Sequence, residues 1–331
     1  MKGIQYIWNI SSPRQRRYAS LVFKSLFTLT IFLLLYYEMF QKRNIDELYN
    51  HFNTSIKTTQ FGLIIGVMLM MLLNWFLESQ KWKLVVSKFT TINALSAFQM
   101  IVVGLTFGVV TPSRIGEYFG RFYMMETGKK WHSLAATFLG SLAQNIVTGG
   151  MGILGALYLL SVNSPIEKYL YSSVIVVLAL LLLGGIFLYY YLSDLPIFLK
   201  KFSSVGWIRK IILYSNYLKN IETKELHQIL LLSLGRYLIY TTQYFILMVF
   251  FGIHLSTLES VAVISFLFLL QSGIPLPPLL GVLARGELAI TIWSLYTENT
   301  LGIVAATLSL WIINLVLPAL GGMGVILTKK V

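Results

Sequence analysis

Cysteine and charge are what this sequence lacks most. The chain of 331 residues contains no cysteine, and only 12% of its residues are charged. Without cysteine there is no disulfide, no thiolate metal ligand and no thiol nucleophile. Because soluble domains carry roughly twice that share of charge, the composition argues against a soluble enzyme and against a disordered chain.

The positive charge does not indicate a nucleic-acid-binding protein. The net charge is +13, with 26 basic and 13 acidic residues. A DNA-binding domain is basic because Lys and Arg cover its surface, whereas here they are few and lie between long apolar runs. We therefore expect no nucleic-acid partner.

Enzyme motifs are missing too. The sequence has no Walker lysine loop, no G-x-S-x-G and no H-E-x-x-H. The four histidines are scattered without metal-ligand spacing. We predict no metal and no other cofactor, and a transporter is favoured over an enzyme.

Long apolar stretches dominate what is present. Hydrophobic residues make up 56% of the chain, and six stretches are long enough to cross a bilayer as helices. They are residues 20–37, 61–77, 134–160, 170–192, 229–251 and 301–327. Trp75, Glu78 and Trp82 are expected at the membrane interface where the second stretch ends. The first stretch also fits a signal peptide, but no small-x-small cleavage site follows it, so we interpret it as a retained helix.

Two further apolar regions, 94–110 and 261–271, are each interrupted by proline and then by charge. Each arm is short for a full crossing, which indicates re-entrant pairs of half-helices. Non-helical backbone at membrane depth is tolerated where protein or a wet cavity surrounds it. The expected hinge residues are Pro112, Gly116, Pro275, Pro277 and Pro278.

The distribution of basic residues gives the orientation. With the N-terminus in the cytoplasm, six full spans and two re-entrant hairpins of opposite orientation put most of the 26 basic residues inside. The prediction is a single all-α polytopic domain over residues 1–331 in the bacterial cytoplasmic (inner) membrane. Both termini are expected to be cytoplasmic.

The two halves of the chain resemble one another. Glu117 and Asn145 correspond to Glu287 and Asn314, and GGMGI after Asn145 corresponds to GGMGV after Asn314. The offset is about 170 residues, and an odd number of crossings per half would invert the second copy. Inverted repeats with broken helices are a transporter architecture, although chance matches also occur in a glycine-rich chain. The predicted halves are residues 20–160 and 170–327.

Charged residues at the first break are the leading site candidates. Thr111 and Pro112 have the types preferred at a helix start, where free N–H groups attract phosphate or carboxylate. Arg114 would lie on the first turn and Arg121 two turns further, with Glu117 able to pair with either. A buried structural ion pair is the alternative, but charge at membrane depth usually marks a ligand site or pathway.

The second half contributes further candidates. Arg285 and Glu287 are two residues apart, so each is expected to meet a partner elsewhere, unless they belong to an outer-surface loop. Arg236, Tyr240 and Gln243 share one face of a helix. There Arg236 either lines a cavity or extends to the lipid headgroups.

Polar side chains also interrupt the long apolar spans. Asn145 and Asn314 are related by the repeat, and we interpret them as site candidates. Gln144 is more simply explained as a helix-to-helix hydrogen bond, and the glycines that follow as close helix packing. The segment 196–226 interleaves apolar and basic residues, which predicts an amphipathic connector on the cytoplasmic face; a solvated linker is the alternative.

Three motifs resemble a known family. Residues 104–121 read GLTFGVVTPSRIGEYFGR, residues 79–84 read SQKWKL, and residues 274–287 read IPLPPLLGVLARGE. They are similar to elements of the flippase-like membrane domain of lysylphosphatidylglycerol synthases and its stand-alone relatives. The family often has Pro-Gly-Gly where this chain has Pro-Pro-Leu-Leu, so the second hairpin departs from the pattern.

The resemblance implies a translocating domain without the aminoacyl-transfer domain of the synthases. We expect the chain to bind a phospholipid or a lipid-linked anionic substrate and to move it between leaflets. A membrane-embedded transferase with Glu117 as its base and a membrane scaffold are the alternatives.

Overall fold

The computed structural model describes residues 61–162, 168–192, 194, 196–197, 200–202, 206–273 and 282–328. The predicted first span at 20–37 and the hinge prolines Pro275, Pro277 and Pro278 lie outside the described residues.

All regular structure in the described part of the chain is helical, as predicted. The α-helices are α1 Phe61–Val86, α2 Ala94–Val109, α3 Gly116–Met124, α4 Lys130–Val162, α5 Lys168–Tyr190, α6 Gly206–Ser215, α7 Thr223–Phe250, α8 Thr257–Ser272, α9 Val282–Trp293, α10 Thr300–Trp311 and α11 Leu317–Thr328. Short 3₁₀ helices cover Pro112–Arg114, Lys200–Phe202 and Asn216–Asn220, and a π-helix at Ile312–Val316 joins α10 to α11.

Three helical stretches have the length and composition of membrane spans. They are Gly62–Val86, Lys130–Ser161 and Thr300–Thr328. Shorter apolar helices cover Ala94–Val109, Ile175–Tyr190 and Thr257–Ser272. Leu180, Leu181 and Phe187 of α5 are more than 60% exposed, which suits a surface in contact with lipid rather than water. The all-α polytopic class is therefore confirmed.

Helix α1 is longer than predicted, and this changes the environment of its polar end. The expected span ended at residue 77, but the helix continues to Val86. Trp75, Glu78 and Trp82 are 5%, 5% and 2% exposed, so the helix assembly buries this polar end of the span, which the expected interface position did not include. The reason is tertiary, because other helices cover this end of α1.

The first predicted hairpin is present as α2 and α3. A Cβ on Gly120 would lie 2.6 Å from the Gly104 Cα atom, and one on Gly108 would lie 2.8 Å from the Glu117 Cγ atom. Gly104 thus lies opposite Gly120 and Gly108 opposite Glu117, so residue numbers increase along α2 as they decrease along α3. The two helices are therefore antiparallel. Glycine on both faces lets the two backbones approach closely.

The helices form a closed ring of contacts. Around it, α2 contacts α3, α3 contacts α4, α4 contacts α8, α8 contacts α9, and α9 contacts α10. The π-helix then joins α10 to α11, and α11 contacts α2, which closes the ring. Helices α1 and α7 pack on each other, α1 also contacts α2 and α4, and α7 also contacts α8 and α10. The contacts α1–α2, α1–α4, α2–α3 and α3–α4 thus correspond to α7–α8, α7–α10, α8–α9 and α9–α10, and α4 also contacts α5 and α7.

The two glycine-rich segments pack across the halves. Gly155 of α4 lies against α8, where a Cβ would be 2.6 Å from the Ala262 carbonyl oxygen. Gly322 of α11 lies against Val102 and Thr106 of α2. The Thr106 hydroxyl also donates to the Ala319 carbonyl oxygen at 2.8 Å. Gly152, Gly155 and Gly322 therefore permit close helix packing, as predicted, whereas nothing lies within 4 Å of a Cβ on Gly321 or Gly324.

Candidate functional site

The turn between α2 and α3 determines where Arg114 lies. Thr111 Oγ1 donates to the Phe107 carbonyl oxygen at 3.1 Å and accepts from the Gly116 N–H at 2.7 Å. Ser113 and Arg114 have φ of 48° and 58°, a left-handed conformation that non-glycine residues rarely adopt.

The prediction of a helix start at Thr111 and Pro112 is therefore wrong in detail. Only a 3₁₀ turn forms there, and α3 begins at Gly116. The left-handed residues interrupt the helix that Pro112 would otherwise begin. Arg114 consequently lies in the turn, with 44% of its side chain exposed, rather than on the first turn of a helix.

A cluster of buried charges lies where α1, α3 and α7 meet. Glu78 of α1 accepts ion pairs from Lys81 at 2.7 Å, from Arg121 at 2.9 Å and from Arg236 at 2.5 Å. These side chains are 2–13% exposed. One carboxylate therefore holds three cationic side chains from three helices.

Neighbouring groups complete the hydrogen bonding of Arg236. Its Nε donates to Asn74 Oδ1 at 2.9 Å, and its Nη1 also donates to Gln144 Oε1 at 3.1 Å. Its guanidinium lies 5.0 Å from the centroid of the Trp75 ring. Arg236 is thus held inside the helix assembly and does not extend towards lipid headgroups.

Glu117 connects this cluster to the hairpin turn. Its carboxylate lies 2.5 Å from Arg114 Nε and 3.5 Å from Arg121 Nη2. The sequence allowed a pair with either arginine, and the structure has both. A continuous chain of charges therefore runs from Arg114 in the turn to Arg236 on α7.

A cavity of about 460 Å³ opens beside these charges, within the 300–1,000 Å³ usual for ligand pockets. It is lined by Asn74, Trp75, Ser113, Arg114, Gln144, Asn145, Thr148, Arg236, Tyr237, Tyr240, Phe268, Gln271, Ser272, Arg285, Trp311, Asn314 and Leu315. Three of these side chains are arginines, and none of these described lining residues is acidic.

The three arginines influence one another across the cavity. Arg114 is close enough to Arg236 and to Arg285 for like-charge repulsion. All three lie within electrostatic range of the Tyr240 hydroxyl. The cavity is therefore a region of positive potential in a largely apolar protein.

Several buried polar atoms of the cavity-lining residues have no hydrogen-bond partner among the described residues. The donors are Arg285 Nη1, Trp75 Nε1 and Trp311 Nε1, and the acceptor is Asn314 Oδ1. Unpaired buried polar atoms are uncommon in folded proteins and costly. Donors predominate in this set, which suits a ligand rich in acceptor oxygens.

The structure brings together most of the residues predicted from sequence. Arg114, Asn145, Arg236, Arg285 and Asn314 line the cavity.

Four other predicted residues lie outside the lining. Glu117 and Arg121 stand behind it in the ion-pair chain. Gln243 is buried and donates to the Val67 carbonyl oxygen at 2.8 Å, which joins α7 to α1. Glu287 is exposed.

The central carboxylate and its lysine were missed. Glu78 and Lys81 were assigned to the interface and to the cytoplasm because they follow an apolar run. The available signal was their i, i+3 spacing beside Asn74 in the same stretch, which places three polar groups near one another on a helix.

The fold and the cavity define a class of protein. A helical assembly with membrane-length apolar helices, an exposed apolar surface and charged side chains buried among them is an integral membrane protein. The chain belongs to the family described as lysylphosphatidylglycerol synthase TM region, whose model matches residues 21–322. Comparison with curated proteins and with solved structures gave no match.

Proposed function

We propose that this protein binds a polar lipid, or a lipid-linked anionic molecule, and moves it between the two leaflets of the membrane. The observation that supports the proposal best is the cavity lined by Arg114, Arg236 and Arg285. Arginine forms charge-assisted, bidentate hydrogen bonds with phosphate. Membership of a family named for a lipid synthase also supports a lipid as the ligand.

Arg114 is the residue best placed to take up the headgroup. It lies in the hairpin turn and contacts Glu117, and its side chain is 44% exposed against 13% for Arg236. An incoming phosphate would compete with Glu117 for the guanidinium, while Arg121 and Arg236 keep Glu78 in place. The headgroup would then sit at the meeting point of the two halves.

Movement between leaflets would use the two-fold organisation of the helices. The matched contacts of the halves support an inverted repeat, with α2 and α3 as one re-entrant hairpin and the region of α8 and α9 as the other. Alternating exposure of the two hairpins would carry the headgroup across. The cytoplasmic membrane with both termini inside is the orientation that the basic residues favour.

The segment 196–226 would lie on the cytoplasmic leaflet. Ile197 and Leu213 are 58% and 62% exposed. Both line a surface groove together with three basic residues, Lys200, Arg209 and Lys219. Apolar side chains inserted among acyl chains and cations beside phosphates are typical of an interfacial segment.

A flip assay tests this function. Purified protein is reconstituted into liposomes with fluorescent phospholipids, and loss of fluorescence to an impermeant quencher reports transfer between leaflets. We expect transfer above the protein-free rate for the wild type and for Lys224→Ala, an exposed cation at the start of α7. Arg114→Ala is expected to lower that rate by about tenfold or more. Transfer at the protein-free rate by all three proteins, for every lipid, would overturn the proposal.

A further inference from the structure

The balance of charges around the cavity indicates how much negative charge the headgroup of the ligand carries, and this inference rests on the proposed function. Arginine stays protonated in proteins, so each of the four arginines of the site carries a full positive charge. Arg121 and Arg236 contact Glu78, and Arg114 and Arg121 contact Glu117. Among the described residues, two carboxylates therefore face four arginines, before Lys81 is counted.

Arg285 is the cavity arginine for which the described residues supply no paired negative charge. It lines the cavity, and within the described part of the chain no carboxylate pairs with it. Its Nη1 is buried without a hydrogen-bond partner there. A buried cation without a counter-charge is costly, so the site gains stability when a bound anion supplies that charge.

The cavity wall also disfavours a cationic headgroup. An ammonium group binds best beside a carboxylate, and the described lining residues include none. Aromatic faces are the other usual partner for an ammonium group. The Trp75 ring is covered by Arg236 at 5.0 Å, and the other aromatic lining residues, Tyr237, Tyr240, Phe268 and Trp311, stand in the same cavity as the three arginines. Repulsion from three arginines would act on any amine that entered.

We propose that the ligand is a lipid whose phosphate headgroup carries at least two negative charges, either a phosphomonoester or a diphosphate. With Lys81 counted, two carboxylates face five cations, and such a headgroup offsets two of the three surplus charges while its acceptor oxygens match the guanidinium groups of the cavity. A phosphodiester such as phosphatidylglycerol carries one charge and leaves two of them uncompensated. An aminoacylated phosphodiester adds an amine that the cavity repels.

Binding to a graded series of headgroups tests this inference. The full chain in nanodiscs of phosphatidylcholine is titrated at pH 7.5 with phosphatidic acid, a polyprenyl diphosphate, phosphatidylglycerol and lysylphosphatidylglycerol. Bound fraction is read from Trp fluorescence, because Trp75 and Trp311 line the cavity. We expect the first two lipids to bind at least about tenfold more tightly than phosphatidylglycerol, with lysylphosphatidylglycerol weakest.

A variant at Arg285 separates charge matching from general attraction to anions. Arg285→Gln removes a charge that no described carboxylate pairs with, so the fold should persist, and it should reduce the preference for two-charge lipids over phosphatidylglycerol to about threefold or less. Lys224→Gln removes an exposed cation at the start of α7, 12 residues before Arg236, and should leave that preference unchanged. Inorganic pyrophosphate, tested alone, should bind more weakly than the lipid diphosphate.

The outcomes distinguish the two proposals. Equal affinity for phosphatidylglycerol and for the two-charge lipids would overturn the charge inference and leave lipid transport standing. An unchanged preference in Arg285→Gln would overturn it as well. Tighter binding of free pyrophosphate than of any lipid would assign the site to a soluble anion, and no binding by any probe would overturn both proposals.

Discussion

Arg121 of α3 donates a hydrogen bond of 2.9 Å to Glu78 of α1, although 43 residues separate them in the chain. The same carboxylate accepts from Arg236 of α7, 158 residues away. One acidic side chain thus fixes the hairpin and α7 onto α1. Four predictions follow from this and related contacts.

Replacing Glu78 should destabilise the protein strongly. Glu78→Gln leaves Lys81 and Arg236 buried without their counter-charge and leaves Arg121 with only Glu117 at 3.5 Å, and breaking a buried ion pair costs about 3–5 kcal/mol. Thermal unfolding in detergent measures the loss. Glu126→Gln is the matched control, because Glu126 is 70% exposed and pairs with Lys129 at 2.8 Å, where an ion pair contributes about 0–1 kcal/mol. Equal effects would contradict the structural role of the cluster.

Two glycines of one segment should respond oppositely to alanine. A methyl group on Gly322 would collide with Val102 and Thr106 of α2, whereas nothing lies within 4 Å of the position on Gly324. Gly322→Ala should cost about 1–3 kcal/mol through overpacking, and Gly324→Ala should be neutral or stabilising by up to about 1 kcal/mol. Denaturation of both variants in the same detergent compares them, and a loss of stability in Gly324→Ala alone would refute the packing.

Arginine should be needed at position 236 for more than its charge. Arg236→Lys keeps the ion pair with Glu78 but cannot also reach Asn74 and Gln144 in the planar geometry of a guanidinium. Lipid transfer in liposomes should fall about tenfold or more, since a hydrogen bond to a charged group is worth about 1.5–3 kcal/mol. Arg209→Lys, at an exposed position, should transfer lipid like the wild type. Full activity of Arg236→Lys would show that only charge matters there.

Acid should lower the stability of the protein by weakening one ion pair, between Lys88 and Glu225. Lys88 lies 2.6 Å from Glu225, which precedes the apolar stretch of α7. Burial alone would raise the pKa of Glu225, but hydrogen bonds from Lys88 and from the Glu222 N–H outweigh it and lower that pKa below the ordinary 4.5.

The sign of the pH effect follows from that lowered pKa. The contribution is present above pH 4.5 and is lost as the pH falls towards the folded pKa, because the unfolded state takes up the proton first. Unfolding temperatures between pH 3 and 6 should therefore depend less steeply on pH in Glu225→Gln than in the wild type. Lys88→Gln, which removes the partner of Glu225, should flatten the curve in the same way, and parallel curves for all three proteins would contradict the assignment.

Local sequence features predicted the helices and the first hairpin well. Apolar runs of membrane length require helices because no other open structure satisfies the backbone in lipid, and proline followed by charge after residue 110 indicated the break between the two arms of the hairpin. Arg114, Arg236 and Arg285 were identified because a charge in an apolar run is costly wherever it lies.

Long-range pairing explains what the sequence did not reveal. Glu78 and Lys81 follow the apolar part of α1, so locally they resemble the polar end of a span, and only Arg121 and Arg236 from distant segments explain their burial. The left-handed conformation of Ser113 and Arg114 was not foreseen either, since neither residue type favours it. Contacts of this kind depend on the assembled fold rather than on neighbouring residues.

The closed ring of helix contacts has a mechanical consequence. Helix α2 is packed between α3 and α11, and α8 between α4 and α9, so neither can shift along its axis without displacing a helix of the other half. Tightly packed glycine crossings transmit such a displacement rather than absorb it. Rearrangement of one hairpin is therefore geometrically coupled to rearrangement of the other, and labels placed on α3 and on α9 should report a single shared rate constant.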